Sequence, residues 1–130
     1  MIKNHKGVAL LMTMLIMASF LVVVLMAADI ITSGITMAKT QTFSTRAFFA
    51  AEAGAERVLW EVRKNNFDLT ICAINDYVGF SVPTACQPSE GVINLSNNAS
   101  YSVVYASSSP IIFRSIGDFS DTRRVVEVSF

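Results

Sequence analysis

Residues 8–28 read VALLMTMLIMASFLVVVLMAA, and this apolar stretch decides how the rest of the chain is organised. Thr13 and Ser19 are its only polar residues. A helix of about 21 residues is long enough to cross a bilayer core of roughly 30 Å. The sequence therefore predicts a membrane-spanning helix from Val8 to Ala28.

The flanks of this apolar stretch predict its orientation. Lys3 and Lys6 precede it, whereas Asp29 follows it and the next cation is Lys39. The positive-inside bias then places the N-terminus in the cytoplasm and the residues beyond about Asp29 outside it. A secretory signal has a shorter apolar stretch, of about 7–15 residues, and a small residue where Met26 stands. We therefore expect a single membrane span followed by an extracytoplasmic C-terminal part.

A helical pattern continues beyond the apolar stretch, because no proline occurs before Pro83 and most residues are good helix formers. Over residues 29–66 this helix is expected to be amphipathic. Its predicted apolar face comprises Phe48, Ala51, Ala55, Val58 or Leu59, and Val62. Its predicted charged face comprises Glu52, Glu56, Arg57, Glu61, Arg63 and Lys64. One helix from about Val8 to Lys64 is expected, with an Asn65-Asn66 cap at its end.

Residues 67–130 predict a small sheet domain. An irregular connection from Phe67 to Gly91 has room for a short strand at Tyr77–Val82. Four segments rich in Val, Ile, Tyr and Phe are predicted strands: Val92–Leu95, Ser100–Ala106, Ile111–Ile116 and Arg123–Phe130. In the last segment, Val126, Val128 and Phe130 alternate with Glu127 and Ser129, which provides one face for a core. The expected fold is α+β, with the amphipathic helix packed on an antiparallel sheet of three or four strands.

Two cysteines, Cys72 and Cys86, lie in the part of the chain expected outside the cytoplasm. An oxidising compartment allows a disulfide between them. Two buried free thiols are the alternative. The bridge is the favoured prediction, and it would attach the irregular connection to the sheet.

Charge and motif content argue against catalysis and against a polyanionic partner. Ten basic side chains balance ten acidic ones, and loss of residues 1–7 would leave eight against ten. The sequence has no phosphate-binding glycine loop, metal-binding cysteine pair or nucleophile elbow, so neither an enzyme activity nor a cofactor is expected. Asp118 and Asp121 can hold calcium, but two carboxylates in a turn more commonly cap it. Three arginines, Arg114, Arg123 and Arg124, can contact DNA. Charged residues are more commonly found on the exposed face or edge of a sheet without any such role, and a nucleic-acid partner is not expected.

Two motifs resemble those of the type IV pilins and pseudopilins, most closely the PilX-like branch of minor pilins. They are KGVALLMTMLIM, residues 6–17, and AFFAAEAGAERVLWEVR, residues 47–63. The resemblance covers Lys6 to about Lys64. It implies that Gly7 ends a leader, residues 1–7, which a prepilin peptidase removes, and that Val8 becomes a methylated N-terminus. The implied partners are that peptidase, the inner membrane and other pilin subunits, whose N-terminal helices pack together in a surface filament.

One position departs from the pilin pattern. Most filament-forming pilins have a glutamate at the fifth residue after the cut, and this chain has Met12. The resemblance therefore favours a minor pilin or pseudopilin that initiates or assembles a filament over a principal subunit. Two alternatives remain open: a single-pass anchored domain that does not polymerise, and a pseudopilin of a DNA-uptake machine.

Overall fold

The computed structural model of the protein describes residues 6–81 and 83–129. One α-helix, α1, runs from Lys6 to Lys64, and a short 3₁₀ helix follows at Leu69–Ile71. The strands are β1 (Tyr77–Gly79), β2 (Ala85–Gln87), β3 (Ile93–Asn94), β4 (Ser100–Ser108), β5 (Ile111–Phe119) and β6 (Thr122–Ser129). The chain divides into two compact units, which we name the helix unit (Met1–Lys39) and the sheet unit (Thr40–Phe130).

In the sheet unit, the second half of α1 packs on one antiparallel sheet of six strands. The strand order is β2-β1-β4-β5-β6, and β3 pairs with β4 beside this path. The α+β layout is as predicted, but the sheet has six strands where three or four were predicted. The very short β2 was missed because its three residues, between two prolines, show no alternation. Of the predicted strand ends, Val82 and Phe130 lie outside the described residues, and β1 ends at Gly79.

The face of α1 that packs on the sheet is built from small residues. Its buried members are Ala47, Ala50, Ala51, Gly54, Ala55 and Val58. The prediction was wrong for Phe48, which is 46% exposed, and Ala47 is buried in its place. The helix backbone lies too close to the sheet for a large side chain at this level, because a Cβ on Gly117 of β5 would lie 2.1 Å from the Ala47 carbonyl oxygen.

The core lies between this helix face and the central strands. Its largest members from the sheet are Tyr101, Val103, Tyr105 and Phe113. On β6, Val126 and Val128 are half-buried against this core, whereas Glu127 and Ser129 are exposed. The predicted alternation of β6 is therefore confirmed over the residues that the structure describes.

A disulfide joins Cys72, just after the 3₁₀ helix, to Cys86 in β2. Their Cα atoms are 5.3 Å apart, and no described cysteine is free. This confirms the predicted pairing. Closing a loop of about 15 residues is worth about 3 kcal/mol in estimates based on the entropy of the unfolded chain. The bridge thus holds a segment with little regular structure against a small sheet.

The end of α1 contains a buried carboxylate that was predicted to face solvent. Glu61 is only 2% exposed, and its Oε1 lies 2.9 Å from Nη2 of Arg57. Asn65 also donates a side-chain hydrogen bond to this carboxylate. Its partners lie at i−4 and i+4, which is the helical spacing that brings side chains together. The helix ends at Lys64, and two residues later Asn66 is in the left-handed region, at φ 51°, as predicted for an Asn65-Asn66 cap.

We expect Arg57→Ala to lower the free energy of unfolding of the sheet unit by about 1–3 kcal/mol, because it leaves a buried carboxylate without its charged partner. The same substitution in a Glu61→Gln background should cost clearly less, since no buried charge is then left behind. Urea unfolding of all four chains, followed by circular dichroism, measures both costs. Equal costs in the two backgrounds would show that Arg57 acts through its packing on Trp60 instead.

Candidate functional site

The apolar segment Val8–Ala28 of the helix unit is the most distinctive surface of the chain. Every side chain in this segment is exposed, including the large ones at Leu15, Met17 and Phe20. Among the described residues, the helix that contains it is long and apolar enough to cross a membrane. Burying one such large side chain is worth about 1.5–3 kcal/mol, so water is an unfavourable environment for the whole segment.

The two hydroxyls inside this segment are satisfied by the helix itself. Thr13 Oγ1 donates to the Leu10 carbonyl oxygen at 2.9 Å, and Ser19 Oγ donates to the Ile16 carbonyl oxygen at 2.7 Å. Such internal hydrogen bonds remove the cost of placing a hydroxyl in an apolar medium. The segment is therefore suited to lipid or to the dry interior of a helix bundle.

Gly7 and Val8 lie together in the first turns of α1. A Cβ added to Gly7 would meet nothing within 4 Å, and none of the described glycines has a positive φ. Neither packing nor backbone conformation therefore requires glycine at this position. The predicted leader residues Met1–His5 lie outside the described residues.

Met12 is 61% exposed on the same segment. Between Gly7 and Ala28 the chain carries no charged side chain, so Met12 lies within an uninterrupted apolar surface. An apolar side chain here avoids the cost of burying an unpaired charge in lipid or among helices.

Exposed aromatic residues lie on the second half of α1, on the side of the helix that faces away from the sheet. The rings of Phe48 and Phe49 are both exposed, and their centroids lie 6.1 Å apart. Trp60 is also half exposed, with the Arg57 guanidinium 5.2 Å from its ring centroid. Sequence analysis assigned Phe48 to the core and thus missed this surface. The signal that could have found it is the regular spacing of alanines and Gly54, which marks the face that packs closely on the sheet.

A cleft of about 600 Å³ opens beside Trp60, between the end of α1 and the loops around Phe80. Its charged groups are already engaged with one another, because Arg57 pairs with Glu61 and lies over the rings of Trp60 and Phe80. Asp68, at its rim, accepts hydrogen bonds from the Thr70 side chain and backbone N–H, which hold the pKa of its carboxyl below the usual value. No group of three metal-ligating side chains occurs in residues 6–81 and 83–129.

The three arginines considered for DNA contact do not form one basic surface. Arg114 donates to Glu127 at 2.7 Å, and Arg123 donates to Asp118 at 2.7 Å. The Asp118 carboxylate raises the pKa of Arg123 and is itself occupied by this pair. Arg124 extends from the opposite face of β6, where its Nε lies 2.8 Å from the Ser44 hydroxyl on α1.

Comparison with known proteins gives no direct assignment. No family model, no curated protein and no solved structure matches the chain. The fold and its surface define the class: an α+β protein whose apolar N-terminal helix is able to anchor it in a membrane as a single pass.

Proposed function

We propose that the chain is a structural subunit of a type IV pilus or a related filament, of the minor pilin or pseudopilin kind. One observation carries the proposal: α1 is a single helix whose first part, Val8–Ala28, is exposed and apolar all round, while its second part packs on the chain's own sheet. A subunit that is held in the membrane before assembly and joins a helix core afterwards needs these two different halves.

The position of Gly7 supports a processing step before assembly. A peptidase that cuts at the boundary between a basic leader and an apolar segment needs a small residue there, and Gly7 has no role in the fold of its own chain. Removal of residues 1–7 would leave Val8 as the new amino terminus. We assign no catalysis and no cofactor to the chain, whose contribution is mechanical.

Met12 supports an initiating or tip-proximal position over a repeated position in the shaft. Where a glutamate helps a new subunit to dock by pairing with the amino terminus of an earlier one, a subunit with methionine lacks that attraction. Such a subunit can begin a filament, because later subunits can still pair with its own amino terminus. It is less able to extend one.

We therefore expect the chain to be scarce in purified surface fibres and to be labelled at their ends. Quantitative mass spectrometry against the principal subunit measures its abundance, and immunogold labelling measures its position. Met12→Glu should raise its abundance in fibres, whereas Met12→Leu, the matched apolar control, should not. Abundance comparable to the principal subunit, spread along the shaft, would show that the initiating position is wrong. Complete absence from fibres would favour an anchored domain that does not polymerise.

A further inference from the structure

The last strand of the sheet, β6, has an unpaired edge. It ends the strand order, and among the residues that the structure describes it pairs with β5 alone, without a bulge. Its side chains alternate: Val126 and Val128 face the core, whereas Arg123, Val125 and Glu127 are exposed on the other face. An open strand of eight residues that lacks a proline or a bulge is a template for another strand.

The backbone groups of these exposed residues are directed at the open edge. Phe119 and Thr122 pair across the two-residue turn between β5 and β6, and a pair in this position is hydrogen-bonded directly. Starting at Thr122, every second residue of β6 therefore directs its backbone N–H and C=O at β5 and hydrogen-bonds to that strand. Arg123, Val125 and Glu127, which lie between them, present theirs to whatever strand comes next.

The charges along β6 complement those of a second β6 that runs antiparallel to it. With Val125 opposite Val125 of a second copy, Arg123 lies opposite Glu127 of that copy, and the reverse pair forms by symmetry. All of these residues remain on the exposed face, as the pleat requires. Shifting the register by two residues in either direction loses both pairs, and one of the two shifts also places Arg124 opposite its own copy.

The same register extends the ion pairs already present between β5 and β6. Arg114 pairs with Glu127, and Asp118 pairs with Arg123, at 2.7 Å in each case. In the joined sheet, a row across four strands would carry Arg114 and Glu127 of one copy, then Arg123 and Asp118 of the other. The charges alternate in sign along that row. Between the two such rows lies an apolar row of Ile116 and Val125 from each copy.

We propose that β6 is a self-association surface, and that its partner is a second copy of this chain joined antiparallel about Val125. The two-fold axis is normal to the sheet, so the α1 segments packed on the two sheets run in opposite directions. The inference rests on the sheet unit alone and does not depend on the filament role.

A single introduced thiol tests the register in the full chain, extracted in detergent. The two native cysteines are joined to each other, so Val125→Cys adds the one free thiol. Directly hydrogen-bonded antiparallel residues have Cα atoms about 5.5 Å apart, which suits a disulfide. Glu127→Cys is the matched control on the same strand and face, because its two copies would lie about 14 Å apart along the strand.

We expect Val125→Cys to form a covalent dimer about tenfold faster than Glu127→Cys under mild oxidation, because the contact raises the local thiol concentration. Equal rates would mean random collision and would overturn the proposal, as would faster dimerisation of Glu127→Cys. Peptide mapping must place the new disulfide at position 125 in both chains.

Charge substitutions in the Val125→Cys background provide a second, independent test. Arg123→Glu and Glu127→Arg each place like charges opposite each other in a homodimer, so each should slow dimerisation when present alone. A mixture of the two chains should form mainly heterodimers, because both cross-strand pairs are then opposite in charge. A statistical mixture of homodimers and heterodimers would contradict the proposed pairing even if all variants fold normally.

Discussion

Gly117→Ala is expected to destabilise the sheet unit by about 3 kcal/mol, at the upper end of the usual cost of overpacking. The added Cβ would lie 2.1 Å from the Ala47 carbonyl oxygen and 2.4 Å from the Ala51 nitrogen. Both are backbone atoms of α1, so the clash cannot be relieved by rotating a side chain. Either the helix must move away from the sheet, which opens the core around Val58 and Phe113, or β5 must bend.

Gly91→Ala is the matched control for this prediction, because a Cβ there would meet its nearest neighbours at 3.9 Å, an ordinary contact distance. Gly54→Ala should fall between the two, since its Cβ would meet side-chain atoms of the buried Ser115 and Tyr101 and no backbone atom. Thermal unfolding of the detergent-extracted chains, followed by the fluorescence of the single tryptophan, Trp60, gives the order of stability. A Gly117→Ala chain as stable as the Gly91→Ala chain would show that α1 does not lie against β5 as described.

Gly7→Val is expected to abolish removal of the leader, so that the full-length chain accumulates in the membrane and is absent from fibres. The proposed peptidase requires a small residue before the cut, and valine is too bulky for such a site. The substitution should not affect folding, because nothing lies within 4 Å of the added Cβ. Mass spectrometry of the membrane fraction measures the proportion of chains that retain residues 1–7.

Gly34→Val is the control for this experiment, since Gly34 is also a helix glycine with nothing within 4 Å of an added Cβ. A chain with this substitution should be processed normally. If Gly7→Val were processed as completely as Gly34→Val, then the proposed role of Gly7 would be wrong, whatever the filament contains.

The long helix and the three long strands were predictable because each follows from a strong signal in the sequence. The apolar stretch from residue 8 and the absence of proline up to Pro83 predicted a helix that the structure shows from Lys6 to Lys64. The long strands β4, β5 and β6 follow from β-branched and aromatic segments separated by turn residues. The Cys72–Cys86 bridge followed from the expected compartment, and the structure confirms it.

The wrong predictions for residues of α1 share a physical cause. Each depends on how closely α1 approaches the sheet or on how the C-terminal end of α1 is packed. Phe48 was assigned to the core by hydrophobicity, but the contact of Gly117 with the helix backbone admits only small residues there. Glu61 was assigned to solvent by its charge, although Arg57 and Asn65 stand at the spacing that satisfies a buried carboxylate. The hydropathy of a sequence does not indicate how closely α1 and the sheet approach each other.

The intact mass and N-terminal residue of the native chain extracted from membranes test the proposed filament subunit most directly. The account predicts a chain that has lost Met1–Gly7 and begins at Val8 with one added methyl group. A mature membrane protein that still begins at Met1 would contradict it, and the apolar helix would then be a simple anchor for the sheet unit.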